Sequence, residues 1–260
     1  MILFLGLAPL VIHLLMGFVE GGKVTNLYDY MMHELDKTQM MVSTGVTDYN
    51  TAIKNAVNKM SQRGVSVMMY DSGYCMNISS AARMITLTGV NQMSRWLNDG
   101  ICDELGLDLV EVTAHAGARP SHREWQGEIY SRSGRSNEYP DLVESTGLGS
   151  VDGLCGANCR HNYYGYYDGS PRAYTKEQLE NIDPDPIEYE GREYTFYEAN
   201  QRMRYMERQM RKTQRRKSGY KEAGLDDDYQ ASAIKLRRQE NEYIKFAKAS
   251  KTRPRFELVN

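Results

Sequence analysis

Between residues 116 and 174 the chain loses the hydrophobic periodicity seen on either side, and glycine, serine, asparagine and tyrosine take over. A loop-rich stretch of that length inside a globular chain is costly to order, because it gains few apolar contacts of its own. It needs braces: flanking helices and strands, ligands within the loops, or the surface of a partner. This requirement shapes everything else the sequence allows.

The flanks are regular. Ala52, Ile53, Ala56, Val57 and Met60 recur at helical spacing behind the capping candidates Thr47 and Asp48, and Gly64 stops the run. Residues 65–70 are β-leaning and close on Asp71-Ser72-Gly73. The spacing predicts a second helix from near Asn77 or Ser79 towards Leu105. Ala82, Ile85, Met93, Leu97 and Ile101 are its inward candidates, with Gly89 and Gly100 as interruptions. Residues 107–115 alternate as a strand buried on at least one side. After Asp183-Pro184-Asp185-Pro186, residues 189–194 read as a two-strand turn about Gly191. Thr195 then caps a helix striped by Ala199, Met203, Met206 and Met210. Past Gly224 and Asp226-Asp227-Asp228, a last helix runs through Ile234, Leu236, Tyr243, Ile244 and Phe246. No repeat of solenoid length is present.

Charge narrows the function classes. Thirty-two Lys and Arg balance thirty-four Asp and Glu, so the formal net charge is −2 and the isoelectric point about 6.2. Global attraction to nucleic acid is excluded; a local patch is not. That patch is Arg202, Arg204, Arg208, Arg211, Lys212, Arg215, Arg216 and Lys217, set against the single acid Glu207. It reads either as a salt-sensitive contact with DNA phosphates or as a solvated face paired with the acidic run at 226–228. With 41% hydrophobic and 25% charged residues the chain is globular rather than disordered. Residues 1–18 carry no charge apart from a proton on His13 and are just long enough for a membrane span. No Lys or Arg precedes the run, no small-x-small cleavage site follows, and Pro9 interrupts it, so no membrane role is expected.

The chemistry-bearing residues are concentrated in the loop-rich stretch: His115, His122, Cys155, Cys159 and His161. If His122 folds back onto the CGANCRH segment, then His122, Cys155, Cys159 and His161 make a tetrahedral Cys2His2 set, and zinc would brace the loops. Alternatively the thiols are small buried groups and the imidazoles satisfy backbone hydrogen bonds. An enzymatic reading would pair the Cys159 thiolate with His161, with His122, Arg123 and Glu124 as acid/base candidates. Side chains two apart seldom face one reacting atom, and the chain lacks a phosphate-binding glycine loop, a G-x-S-x-G elbow and an HExxH helix. No catalysis is expected. Tyr163, Tyr164, Tyr166 and Tyr167 read as a base-stacking platform or, alternatively, as amphipathic packing residues. Trp96 and Trp125 read as core or anchor residues. Nineteen tyrosines, fifteen methionines and twenty-two glycines beside five phenylalanines suit a protein whose surfaces are contacts.

The blocks VEVTAHAGARPSHREWQG at 110–127 and YPDLVESTGLGSVDGLCGANCRHNYYGYYDG at 139–169 closely resemble the phage minor capsid protein family of the "minor capsid protein 2" type. GVTDYNTAIKNAVNKM, AARMITLTGVNQMS and YEGREYTFYEANQRMRYMERQMRK extend the likeness to roughly residues 45–250, and their order is similar to the wider Mu-type head-morphogenesis group. The resemblance implies a structural virion component at or near the portal vertex of a tailed-phage head, assisting head assembly or DNA packaging. Its partners would be portal and other capsid proteins, and packaged DNA, with no small-molecule substrate; its place would be the virion, and the host cytoplasm during assembly. Two features depart from the family pattern. Members carry a longer helical portion before the TDYN-like block, and often a proline where this chain has Gly165.

The expected architecture is α+β: helices flanking a small β-sheet, a loop-rich His/Cys module, and C-terminal helices. The expected divisions are an apolar lead-in (1–44), the α+β core with the His/Cys module (45–183), and a helical region with a basic helix (184–260). One structural cluster is expected from His115, Arg119, His122, Trp125, Gly127, Cys155, Cys159, Arg160 and His161, with Arg119 and Arg160 as hydrogen-bonding forks.

Overall fold

The computed structural model describes residues 18–20, 23–25, 27–62, 67–69 and 75–258. The reading of the apolar stretch 1–18 therefore lies outside the described residues, except at Phe18. Among the described residues no helix is long and apolar enough to cross a membrane. The fold is α+β, and the chain divides into two compact units: residues 1–113 with 128–170, and residues 114–127 with 171–260.

The first unit opens with a hairpin of β1 (Phe18–Glu20) and β2 (Lys23–Thr25). Helices α1 (Leu27–Ser43) and α2 (Tyr49–Gln62) follow, then a second hairpin of β3 (Val67–Met69) and β4 (Cys75–Asn77). The long α3 (Ile78–Glu104) completes the helical layer. The start of α2 is the one the sequence predicts: the Asp48 carboxylate accepts from the backbone N–H groups of Asn50 and Thr51, each at 3.0 Å. Tyr30, Met31 and Leu35 of α1, Ile53, Ala56 and Met60 of α2, and Ile78 and Ala82 of α3 form the core. Each large side chain buried there contributes about 1.5–3 kcal/mol.

A three-stranded antiparallel sheet, ordered β6-β5-β7, follows from β5 (Leu109–Val112), β6 (Ile129–Ser131) and β7 (Tyr163–Gly165). Its register sets Val110 opposite both Tyr130 and Gly165, and Val112 opposite Tyr163. Val110, Glu111 and Val112 are all buried, so the central strand is covered on both faces. The short α5 (Leu142–Thr146) ends at Gly147 in the left-handed region and leads into the cysteine loop.

Two expectations about α3 are corrected. Gly89 and Gly100 do not interrupt it. At Gly89 the Gln39 side chain of α1 occupies the space a Cβ would take, so the glycine permits close helix packing. The more consequential correction is that Met93, Leu97 and Ile101 point outward and are exposed, as is Trp96. The second half of α3 turns an amide- and acid-bearing face towards β7 and the loop before it, which leaves the apolar residues on the opposite side.

In the second unit α4 (Pro120–Arg123) lies in the 114–127 segment. The Gly117 N–H donates to Asp183 Oδ1 at 2.6 Å, and the Arg172 guanidinium donates to the Gly127 carbonyl. Gly127 has φ +72° and the Leu179 side chain packed where a Cβ would stand, so both backbone and space demand glycine. After α6 (Lys176–Glu180), β8 (Ile187–Tyr189) and β9 (Arg192–Tyr194) form the expected hairpin, turning at Glu190 and Gly191 with positive φ. Helices α7 (Phe196–Glu222) and α8 (Asp226–Ala249) pack together, and a 3-10 turn (Phe256–Leu258) follows.

Thr195 and Glu198 form a reciprocal capping box at the start of α7. The predicted stripe of Ala199, Met203, Met206 and Met210 meets Leu236, Tyr243, Phe246 and Ala247, while Ile234 and Ile244 are exposed. Glu207, the lone acid of the basic run, is buried. It accepts from Tyr243 Oη at 2.8 Å and from Arg255 Nε and Nη2 at 3.1 and 2.9 Å.

Candidate functional site: the cysteine-histidine loop and the polar face that holds it

The loop from 147 to 162 has little apolar content and two non-glycine residues in the left-handed region, Cys155 (φ 59°) and Asn158 (φ 57°). Such conformations cost on the order of 1 kcal/mol each and persist only where the surroundings over-determine them. Here the surroundings are hydrogen bonds. Within the loop Gly156 N–H donates to Gly153 O, Ala157 N–H to Val151 O, and Cys159 N–H to Gly156 O, at 2.7–3.1 Å.

From α3, Gln92 Nε2 donates to Cys155 O at 3.2 Å, and Asn91 Nδ2 donates to Cys159 O and His161 O at 3.3 and 3.0 Å. Asn162 Nδ2 returns to Asn91 O and Oδ1 at 3.0 and 2.9 Å, and Thr88 Oγ1 accepts from Asn158 N–H at 3.2 Å. Further along the helix, Asn98 Nδ2 donates to Tyr163 O at 2.6 Å, and Tyr163 Oη donates to Asp99 Oδ1 at 2.7 Å. Arg132 joins Asp99 and Asp103 at 3.3 and 2.9 Å. A row of helix amides thus satisfies the carbonyls that an irregular loop cannot pair by itself.

This row was not among the predicted site residues. Its signal is present in the sequence: Asn91 and Asn98 are seven positions apart, on one face of the helix.

Cys159 and His161 of the first unit and His122 of the second are all buried. Imidazole and thiolate groups are of the types that ligate zinc. Within the first unit the Cys155 and Cys159 thiols lie 3.5 and 3.8 Å from the His161 carbonyl. Cys159 Sγ and His161 Nδ1 are 3.7 Å apart. Burial pushes the Cys155 thiol up to about 12, with the neighbouring Cys159 adding to the effect, so it stays protonated at neutral pH. Cys102, Cys155 and Cys159 are free thiols and buried.

The remaining predicted residues fall as follows. His122 packs its ring on buried Trp125 at 4.5 Å between centroids. The Arg119 carbonyl opens α4 by accepting from His122 and Arg123 N–H. His115 Nδ1 sits 2.9 Å from Ala116 O, and its N–H donates to Gln126 Oε1 at 3.1 Å. Arg160 is exposed. Tyr163 and Tyr166 are buried and Tyr167 is exposed, so the tyrosine run does not present one stacking platform. On α7, Arg202, Arg208, Lys212, Arg215 and Arg216 are exposed, and Arg204, Arg211 and Lys217 are half-buried. The Arg202 and Arg208 guanidinium groups lie 5.5 and 6.0 Å from the Tyr205 ring centre.

Fold and site together define an α+β protein in which His122, Cys155, Cys159 and His161 are buried. The family model described as phage minor capsid protein 2 matches residues 22–248, and the chain belongs to that family. A protein named "Structural protein" from Lactococcus phage LL-H is 22% identical over 196 residues, covering 73% of this chain and 50% of that relative. The chain therefore spans about half the length of the curated relative it matches. No solved structure matches it significantly. The protein is a structural phage protein of the minor capsid type.

Proposed function

We propose that the protein is a non-catalytic component of a tailed-phage or prophage head, acting through contacts with portal and other capsid proteins during head assembly or DNA packaging. Burial of His122, Cys155, Cys159 and His161 carries this reading. A latch works without solvent, whereas a nucleophile needs access and a thiolate. Family membership supports a place in the virion, and in the host cytoplasm while heads assemble.

Quantitative mass spectrometry of gradient-purified heads tests the proposal. The protein is expected in a few copies per particle, and its deletion is expected to yield empty or malformed heads. Its absence from particles, or normal DNA-filled heads without it, contradicts the reading. The Cys159 and His161 donors are of the types that suit zinc, which would add to the bracing of the loop. Elemental analysis of protein purified without chelators tests that point, and a metal content near zero removes it.

The exposed cations of α7 favour a second reading, contact with packaged DNA. Affinity for duplex DNA would then fall with salt at a log–log slope of about −0.9 per neutralised phosphate. Replacing Arg208, Lys212, Arg215 and Arg216 with alanine would flatten that slope. Binding that ignores both salt and these substitutions would set the reading aside.

A further inference from the structure

On α3, positions 82, 86, 89, 93, 96 and 100 follow the alternating four- and three-residue spacing of a helix-packing seam. Its first half, Ala82, Thr86 and Gly89, is buried where α1 and α2 pack on α3. Its second half is open. Met93, Trp96, Leu97, Ile101 and Leu105 are between 39% and 67% exposed, and Gly100 has nothing within 4 Å of where a Cβ would stand. The same helix spends its polar side chains inward on the cysteine loop, and among the described residues nothing covers this outward apolar stripe.

We propose that the stripe is a homodimer contact in which α3 of one copy packs antiparallel on α3 of a second copy, with the two-fold axis level with Asp99, one residue from Gly100. The spacing is self-complementary about that point: Leu97 faces Ile101 and Met93 faces Leu105 of the second copy, in both directions. Trp96 leans over the open backbone at Gly100, where a larger residue would hold the helices apart. Direction follows from charge. Asp103 and Glu104 end the helix, so a parallel pair would stack four acids and two helix C-termini together, whereas an antiparallel pair separates them and opposes the dipoles.

The stripe presents roughly 600 Å² of apolar side-chain surface, at the upper end of what a monomer ordinarily shows and below the ~800 Å² per partner of a standard interface. The contact is therefore concentration-dependent, with dissociation on the order of micromolar. It does not depend on where in the head the protein sits or on any metal, and particle incorporation would be unchanged by its failure.

Sedimentation equilibrium of the full chain across a wide concentration range tests the contact. The wild-type protein is expected to pass from monomer to dimer, and the Leu97→Glu/Ile101→Glu variant to stay monomeric with an unchanged Tm, since both side chains are exposed. Under mild oxidation Gly100→Cys forms a disulfide-linked dimer, and Asp103→Cys and the wild type do not. Three results overturn the proposal. One is a monomer at every concentration with Trp96 open to iodide quenching. Another is a monomer whose Trp96 is shielded, which would place the stripe under the protein's own chain. The third is a dimer that survives both glutamates, which would place the contact elsewhere.

Discussion

Replacing Asn91 with alanine removes two donated hydrogen bonds, to Cys159 O and His161 O, and one of the two acceptors that Asn162 uses, the backbone carbonyl remaining. Each such bond contributes about 1 kcal/mol net, and the site is only part-buried, so the loss should total about 2–3 kcal/mol. Most of it falls on one segment. Without Asn91, the loop with positive φ at Cys155 and Asn158 loses its anchor on α3 and should open well before the helices unfold. A loss of that size corresponds to an increase in opening of roughly thirty- to a hundred-and-sixtyfold.

The assay is the rate at which Cys155 and Cys159 react with a disulfide reagent in the folded protein, alongside urea unfolding. In the wild type both thiols are buried and should react slowly; in Asn91→Ala they should react faster by about that factor. Asn91→Asp, which keeps an acceptor for Asn162 but donates nothing, should fall between. A change under about 0.5 kcal/mol with thiols as slow as in the wild type would refute the idea that α3 latches the loop.

Three further outcomes follow from the same structure. Thr195→Ala should lower Tm by about 2–4 °C by removing the α7 capping box. The Glu198 carboxyl is held below its usual range, first by the Thr195 N–H and then by the Thr195 hydroxyl, so its stabilisation is present above about pH 4.5 and is lost as pH falls through the lowered pKa. The Tm gap between wild type and Thr195→Ala should narrow in acid, and a constant gap would contradict the assignment. Arg255→Met leaves the buried Glu207 carboxylate with only Tyr243 among its observed donors. The cost should be about 1–3 kcal/mol by denaturant unfolding, at the low side for a buried pair because Arg255 is partly exposed. Adding Glu207→Gln should recover much of it, and no recovery would show that the charge is not the problem. Gly127→Ala, at φ +72° against Leu179, should destabilise by about 1–3 kcal/mol, and a neutral effect would show that the segment is free to shift.

Much of the architecture was legible because local signals and tertiary contacts agree. Asp48 and Thr195 mark helix starts because their side-chain oxygens accept backbone N–H groups of the first turn, a preference that holds wherever the helix ends up packing. The methionine stripe of α7 was readable for the same reason: its apolar period matches the face that α8 covers. Residues 109–112 and 187–194 behaved as strands and hairpin because alternation and Gly191 fix those locally.

In α3 the local and tertiary signals part. Hydrophobic periodicity identifies a helix but says which face is inward only if the core is apolar. The second half of α3 packs on a loop rich in unpaired carbonyls, and amides are the side chains that satisfy them. Periodicity alone thus points Met93, Leu97 and Ile101 inward, where the fold instead places Asn91 and Asn98. Among the candidate site residues, Cys155, Cys159 and His161 come together, with both thiols on the His161 carbonyl. Sequence spacing could offer both thiols as metal ligands; it could not show that the backbone, with φ +59° at Cys155, sets them on that carbonyl.

The central claim is that a loop poor in apolar residues is held rigid by buried histidine, cysteine and amide contacts, so that the module works by docking. Hydrogen–deuterium exchange of the purified full chain, read over residues 155–163, measures this directly. The account predicts amides protected for minutes to hours at 157, 159, 162 and 163, where the N–H groups have partners in the fold. Exchange of the whole segment at the rate of an unstructured peptide, while α3 stays protected, would contradict it.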